Sequence, residues 1–422
     1  MDRIKQVNPW WLLGCAVLIL AYNMGIRQSV SLMVPQMSAG LSIPVSEISL
    51  GFAVQNLVWG AVAPIAGLLA ERFGTARVLL AGITVYGIGL LVASAADSGL
   101  LFFVGNALLI GIGAGATTFP IILAVVGKRF PAHRRSLALG IATAGGSLGQ
   151  FGFALFVGKL APVAGWSGTY MWCAVTSIAA LLLVFGFVGS RNDPESHSAS
   201  ASASLTLAPD PALSKALSLR RIFDWSMIGG AFNVREYQLL NIGFFVCGFH
   251  IAFITVHMSG LVAYCGLLPA VASDSLAIIG LMNVVGVILI GWAGDKWHKP
   301  WLLVLVYWLR ASLLIALLLL PKTETIFYLF SGLMGMLWLS TVPLTSGSVA
   351  QIFGTKNLAS LFGIVMLSHQ IGAFFGSWWA GLTFEWFGSY DLAIIVSALL
   401  GLLAAAVHLP MTPIRMARFS PA

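Results

Sequence analysis

Charge is what this chain has least of: 9% of its 422 residues are Asp, Glu, Lys or Arg, while 59% are hydrophobic. A soluble domain carries about 25% charged residues, so a freely soluble globular protein is excluded. All 14 acids fall in loops, tails or the ends of apolar runs. The runs therefore hold no carboxylate dyad, and they hold no catalytic triad or metal cluster either. Neither an enzyme nor a bound cofactor or metal is expected. Cysteine is scarce too: Cys15, Cys173, Cys247 and Cys265 are dispersed, without the spacing of a disulfide framework or a metal site.

What is present is a series of apolar runs of about 18 residues or more, the length of a membrane-spanning helix rather than a barrel strand. Span 1 runs to about Met37 and reads as a signal anchor, not a cleavable signal peptide. Spans 2 to 6 fall near 49–70, 78–96, 100–126, 136–157 and 169–188. Spans 7 to 12 fall near 239–261, 275–294, 301–320, 326–350, 358–382 and 392–409. The net charge of +8 follows topology, not nucleic acid: 18 of the 22 Lys and Arg sit in alternate loops and the two termini. That asymmetry predicts cytoplasmic N- and C-termini.

Between the two sets of six lies a Ser/Ala- and Pro-containing stretch that reads as a flexible linker, with a candidate amphipathic surface helix at 216–227. The expected organisation is an N-terminal six-helix half at 1–190, a cytoplasmic linker at 191–237 and a C-terminal six-helix half at 238–422. The halves repeat one another. Thr118-Phe119-Pro120 returns as Thr341-Val342-Pro343, Gly140-Ile141 and Gly149 as Gly363-Ile364 and Gly372, and Gly25-Ile26-Arg27 as Gly248-Phe249-His250, all offset by 223; Gly67-x-x-x-Glu71 returns as Gly291-x-x-x-Asp295, offset by 224. The chain thus reads as an all-α membrane protein of twelve helices in two pseudo-symmetric bundles. Transporters of that build place their substrate site near the bilayer midplane. The glycine patterns at 111–115, 145–149 and 372–376 sit mid-span, where they serve helix packing, not nucleotide binding.

Gly67, Glu71, Arg72, Gly74 and Arg77, with Asp295 in the second copy, place acid and base at a helix end beside a tight turn. They are expected to latch one conformation. Here the chain resembles the major facilitator superfamily, whose signature between spans 2 and 3 is Gly-x-x-x-Asp-Arg-x-Gly-Arg/Lys; Glu71 replaces its aspartate. A narrower resemblance is to the monocarboxylate-porter family and the related oxalate/formate-type exchangers. Their motif at span 5 is matched from Leu137 to Gly149 except for Gly146 in place of its serine, and Gly165-Trp166 before span 6 also fits. The resemblance implies that Arg27 occupies the position of a cavity lysine in the family's animal members. The family's Asp/Arg pair of span 8 is absent, its positions being Asn283 and Val287, and only Pro9-Trp10-Trp11 stands for its acidic motif before span 1.

Arg27 is the costly residue, about 25 Å along a helix that begins at Trp10. Snorkelling to the outer interface is one reading. Against it, Asn23, Arg27 and Ser31 fall at i, i+4 and i+8 and form a polar stripe. With no carboxylate in the spans, an anion from outside would complete a bidentate pair. His250, its mirror, is expected as a second donor and proton carrier. His369 and Gln370 are expected as orienting groups, and the resemblance implies that Gln55, Asn56, Gln150 and Asn283 lie on cavity-lining spans. Arg310 is expected to be structural, bonding carbonyls of a neighbouring helix.

The expected function is secondary active transport of a small organic anion, monocarboxylate-like, by proton symport or anion exchange. The expected setting is a monomer in the inner membrane of a bacterial-type cell, with the lipid bilayer and no nucleic acid as partner. The rivals are an exporter of neutral or amphipathic compounds and a membrane sensor without flux.

Overall fold

The computed structural model describes residues 8–130, 132–187, 230–353 and 358–411. The side chains of Glu71, Arg72 and Asp295, three of the latch residues, lie outside this description, as do most of the expected linker and its candidate surface helix. The described residues form twelve membrane-spanning helices. Ten runs are long and apolar enough to cross a bilayer. One of them, at 141–187, is two spans joined at Gly165, and a further span is assembled from shorter pieces.

Helix α1, Pro9–Leu41, starts at an Asn8 N-cap whose side chain accepts from the Trp10 amide, with proline at the first helical position. A 3₁₀ turn at Val30–Met33 re-phases its far end. Helix α2, Val45–Phe73, stops at Gly74, whose φ of 93° supplies the expected tight turn. Helix α3 is Thr75–Ser94.

Helix α4 is broken. Gly99–Gly115 contains a π-helical stretch at Val104–Leu109, and after residues 116–118 the helix resumes as Phe119–Arg129 with proline in its first turn. Helices α5 and α6 belong to the run Ala132–Leu183, bent at Gly165 (φ 69°) three residues after Pro162. Helix α7 is Arg235–Tyr264, α8 Pro269–Lys296 and α9 Lys299–Leu319. Helix α10 is broken like α4, into Glu324–Leu337 and Thr341–Phe353. Helices α11, Leu358–Phe387, and α12, Asp391–His408, complete the second bundle. Helices α2, α7 and α8 begin four to six residues before the apolar runs at 49, 239 and 275 do.

The duplication governs packing. In the first half α1 crosses α5 so closely that a Cβ on Gly149 would strike the backbone of Ala21. In the second half α7 crosses α11 at the equivalent Gly372, where a Cβ would strike the backbone of Phe245. Gly111 and Gly115 admit Val58 and Val62 of α2, while Gly113 between them admits Tyr86 of α3. The mid-span glycines therefore act as packing surfaces.

The halves meet along α2 with α11 and α5 with α8. Gly280 of α8 lies against the backbone of Phe151 and Ser147. Among the described residues, hydrogen bonds between the halves run from mid-molecule toward one end. Ser31 Oγ donates to the Thr255 carbonyl (2.7 Å), Ser259 Oγ to the Ser31 carbonyl (3.3 Å), the Ser46 amide to Glu385 Oε1 (2.9 Å) and Asn283 Nδ2 to Ser147 Oγ (2.9 Å). At the opposite end a Cβ on Gly67 or Gly291 would meet nothing within 4 Å. Among the described residues, the hydrogen bonds between the halves thus tie the molecule together at one end.

Candidate functional site

Arg27 turns toward α2. Its Nη1 donates to Asn56 Oδ1 at 2.7 Å, and its guanidinium carbon stands 4.3 Å from the centre of the Trp59 ring. Asn56 and Trp59 are i and i+3 on one face of α2, which is why a single side chain engages both. The Asn56 amide is oriented by its own Nδ2, which donates to the Phe52 carbonyl at 3.1 Å, so its oxygen is presented to the arginine. Trp59 is anchored in turn, its Nε1 donating to Thr118 Oγ1 at 3.1 Å, in the break of α4. The arginine is thus held by a neutral amide and an aromatic face, neither of which cancels its charge. Its Nε is buried without a hydrogen-bond partner.

The expected polar stripe on α1 does not converge. Asn23 is fully buried and donates to Thr117 Oγ1 and toward the Ala114 carbonyl of α4 (3.4 Å). Ser31 bonds across to α7. Three residues on one stripe therefore serve three different helices, and the 3₁₀ turn at 30–33 contributes by rotating Ser31 out of phase.

Gln55 faces away from Arg27, donating to the backbone carbonyl of Asn106 (2.7 Å) in the π-helical stretch. Gln150 is buried at the crossing of α5 and α8, its Nε2 unpartnered. Asn283 has both polar ends engaged, accepting from the Leu339 amide (3.1 Å) and donating to Ser147.

His250 does not join Arg27. Its Nε2 is 2.7 Å from the Ser397 carbonyl of α12, and its ring fits a niche left by Gly401. The missing side chain at 401 is the physical reason the imidazole turns to α12, so the mirror-pair expectation is corrected. His369 lies against the Phe244 ring (centroids 5.2 Å apart), with Nδ1 unpartnered. Gln370 packs onto Gly60 of α2, one residue along from Trp59, and its Oε1 is buried without a partner. Arg310 is fully buried and donates through Nη2 to the carbonyls of Leu337 (2.6 Å) and Trp338, and through Nη1 to Cys247 Sγ (3.4 Å). Its expected task of bonding a neighbouring helix's carbonyls is what the geometry gives.

Trp59 is absent from the sequence expectations, and Thr118 figures there only as part of the internal repeat. The available signal was the i, i+3 spacing of Asn56 and Trp59, since an aromatic on the same face as a cavity amide is a natural seat for an intramembrane arginine.

A twelve-helix duplicated bundle with broken α4 and α10 and an uncompensated arginine between helices defines a class. The model of the Major Facilitator Superfamily matches residues 13–271, and the chain belongs to that superfamily of multi-pass membrane transporters. It is 24% identical over 367 residues to the uncharacterized MFS-type transporter YhjX of Escherichia coli (strain K12), covering 86% of this chain and 85% of that one. It is 25% identical over 397 residues to monocarboxylate transporter 13 of Bos taurus, covering 92% and 85%. In fold it resembles a bacterial homologue of the human lysosomal transporter Spinster in an inward-facing, unoccupied conformation, with a TM-score of 0.78, 14% identity and coverage of 98% and 99%.

Proposed function

We propose that this transporter moves a small organic anion, monocarboxylate-like, across a bacterial-type inner membrane by alternating access. The observation that carries the reading is Arg27: a guanidinium held by Asn56 and Trp59, with a buried, unpartnered Nε and no carboxylate among its described contacts. The relationship to monocarboxylate transporter 13 supports the same substrate class.

In this scheme Arg27 clamps the carboxylate and Asn56 and Trp59 hold the clamp. Gln370 brings the second half to the bound anion, the place earlier expected for His250. With cytoplasmic termini, the end tied by Ser31 with Thr255 and by Ser46 with Glu385 faces away from the cytoplasm, and the transporter is sealed on that side. The division into halves at 1–190 and 238–422 supplies the two rocking bodies. Glu71, Arg72 and Asp295 latch the cytoplasmic end when it closes.

Uptake of labelled lactate, pyruvate, formate and oxalate into proteoliposomes tests this. Arg27→Gln is expected to abolish anion uptake while leaving the protein folded; unchanged uptake would remove the clamp. An imposed pH gradient that accelerates uptake identifies proton symport, whereas acceleration only by anion loaded on the far side identifies exchange. His250→Ala is expected to retain gradient-driven uptake, given its place against α12.

A further inference from the structure

The breaks in α4 and α10 are held by the same position of the duplicated unit. In the first half Trp59 of α2 donates to Thr118 in the α4 break. Its counterpart at the 224-residue offset of α2 and α8 is Asn283, which accepts from the Leu339 amide in the α10 break. The side chains differ, and so do their second contacts. Trp59 carries Arg27 on its ring face. Asn283 reaches across the interface between the halves to Ser147 of α5. The amide's orientation is forced: a backbone N–H only donates, so the atom facing Leu339 is the oxygen and the NH₂ faces the serine. Asn283 and Ser147 are both buried, so water does not replace either bond while the interface is closed.

We propose that Asn283 is a positioning residue that ties the α10 break to the seam between the halves, so that parting α5 from α8 loosens the backbone at 337–341. When the halves separate, Ser147 leaves, the Asn283 amide loses its anchor and the Leu339 amide loses a fixed acceptor. Neither the substrate nor the Arg27 clamp enters this chain of contacts, so it stands or falls independently of the proposed function.

Backbone hydrogen exchange of the 337–341 segment in detergent or nanodiscs tests it. Ser147 has no described contact with α10, yet Ser147→Ala is expected to raise exchange there about fivefold, the equilibrium shift set by one hydrogen bond. Asn283→Ala is expected to raise it at least as much, and the double variant no further than Asn283→Ala alone. Labels at the exposed Ser42 and Leu268, with Cys265→Ser as background, are expected to report a larger separated population in Ser147→Ala. Exchange at 337–341 unchanged by Ser147→Ala, or independent and additive effects of the two substitutions, would overturn the proposal.

Discussion

Arg27 is anchored by one hydrogen bond and one ring face, and the two anchors are separable. Asn56→Ala removes the bond to Nη1 and leaves the ring. Loss of one charge-assisted bond, about 1.5–3 kcal/mol, is expected to weaken anion affinity roughly tenfold or more, measured by thermal shift or KM for uptake. Trp59→Phe keeps an aromatic face beneath the guanidinium but deletes the Nε1 donor to Thr118. It is expected to leave anion affinity within about twofold and to slow transport, because what it severs is the tie to the α4 break. Loss of affinity in Trp59→Phe with the maximal transport rate unchanged would show that the indole N–H serves binding alone.

At the scale of the element, the breaks in α4 and α10 leave backbone groups that must find partners in the bilayer interior. Arg310 supplies them for Leu337 and Trp338. Arg310→Met keeps the stem's volume but orphans two carbonyls, and is expected to cost about 2–4 kcal/mol, read as a fall in unfolding temperature without change in the ligand's KM. The glycine crossings are equally exacting. A side chain at 149 would meet the Ala21 backbone, which cannot rotate away. Gly149→Leu is therefore expected to lose roughly 3 kcal/mol or more, beyond the 1–3 kcal/mol typical of overpacking, and to reduce the yield of folded protein in the membrane.

For the whole molecule, twelve spans, the duplication and the packing role of the glycines were legible because apolar run length and a constant offset report directly on bilayer thickness and repeated backbone. Arg27 stood out for the same reason, as a charge where charge is expensive. Rotation about each helix axis was not legible. A stripe at i, i+4 and i+8 names a face but not the neighbour it meets, so Asn23, Arg27 and Ser31 proved to serve α4, α2 and α7. The duplication maps backbone onto backbone, not environment onto environment. His250 stands where Arg27 stands, yet the absent side chain of Gly401 draws it to α12. Asn283 read as a cavity residue because the resemblance makes span 8 a cavity-lining span, whereas its actual partners come from helices far apart in sequence.

The seam where Gly280 lies against the backbone of Phe151 and Ser147 has a practical consequence. Backbone there cannot yield as a side-chain tip would, so a single added methyl acts as a wedge at the sealed end. Gly280→Ala is expected to hold the molecule in the opposite state, open at the end that is shut here, as judged by the separation of labels at Ser42 and Leu268. A transporter with so narrow a point of backbone contact can be trapped in its second conformation by the smallest substitution available to a glycine, which opens a route to imaging the half of its cycle that this structure does not occupy.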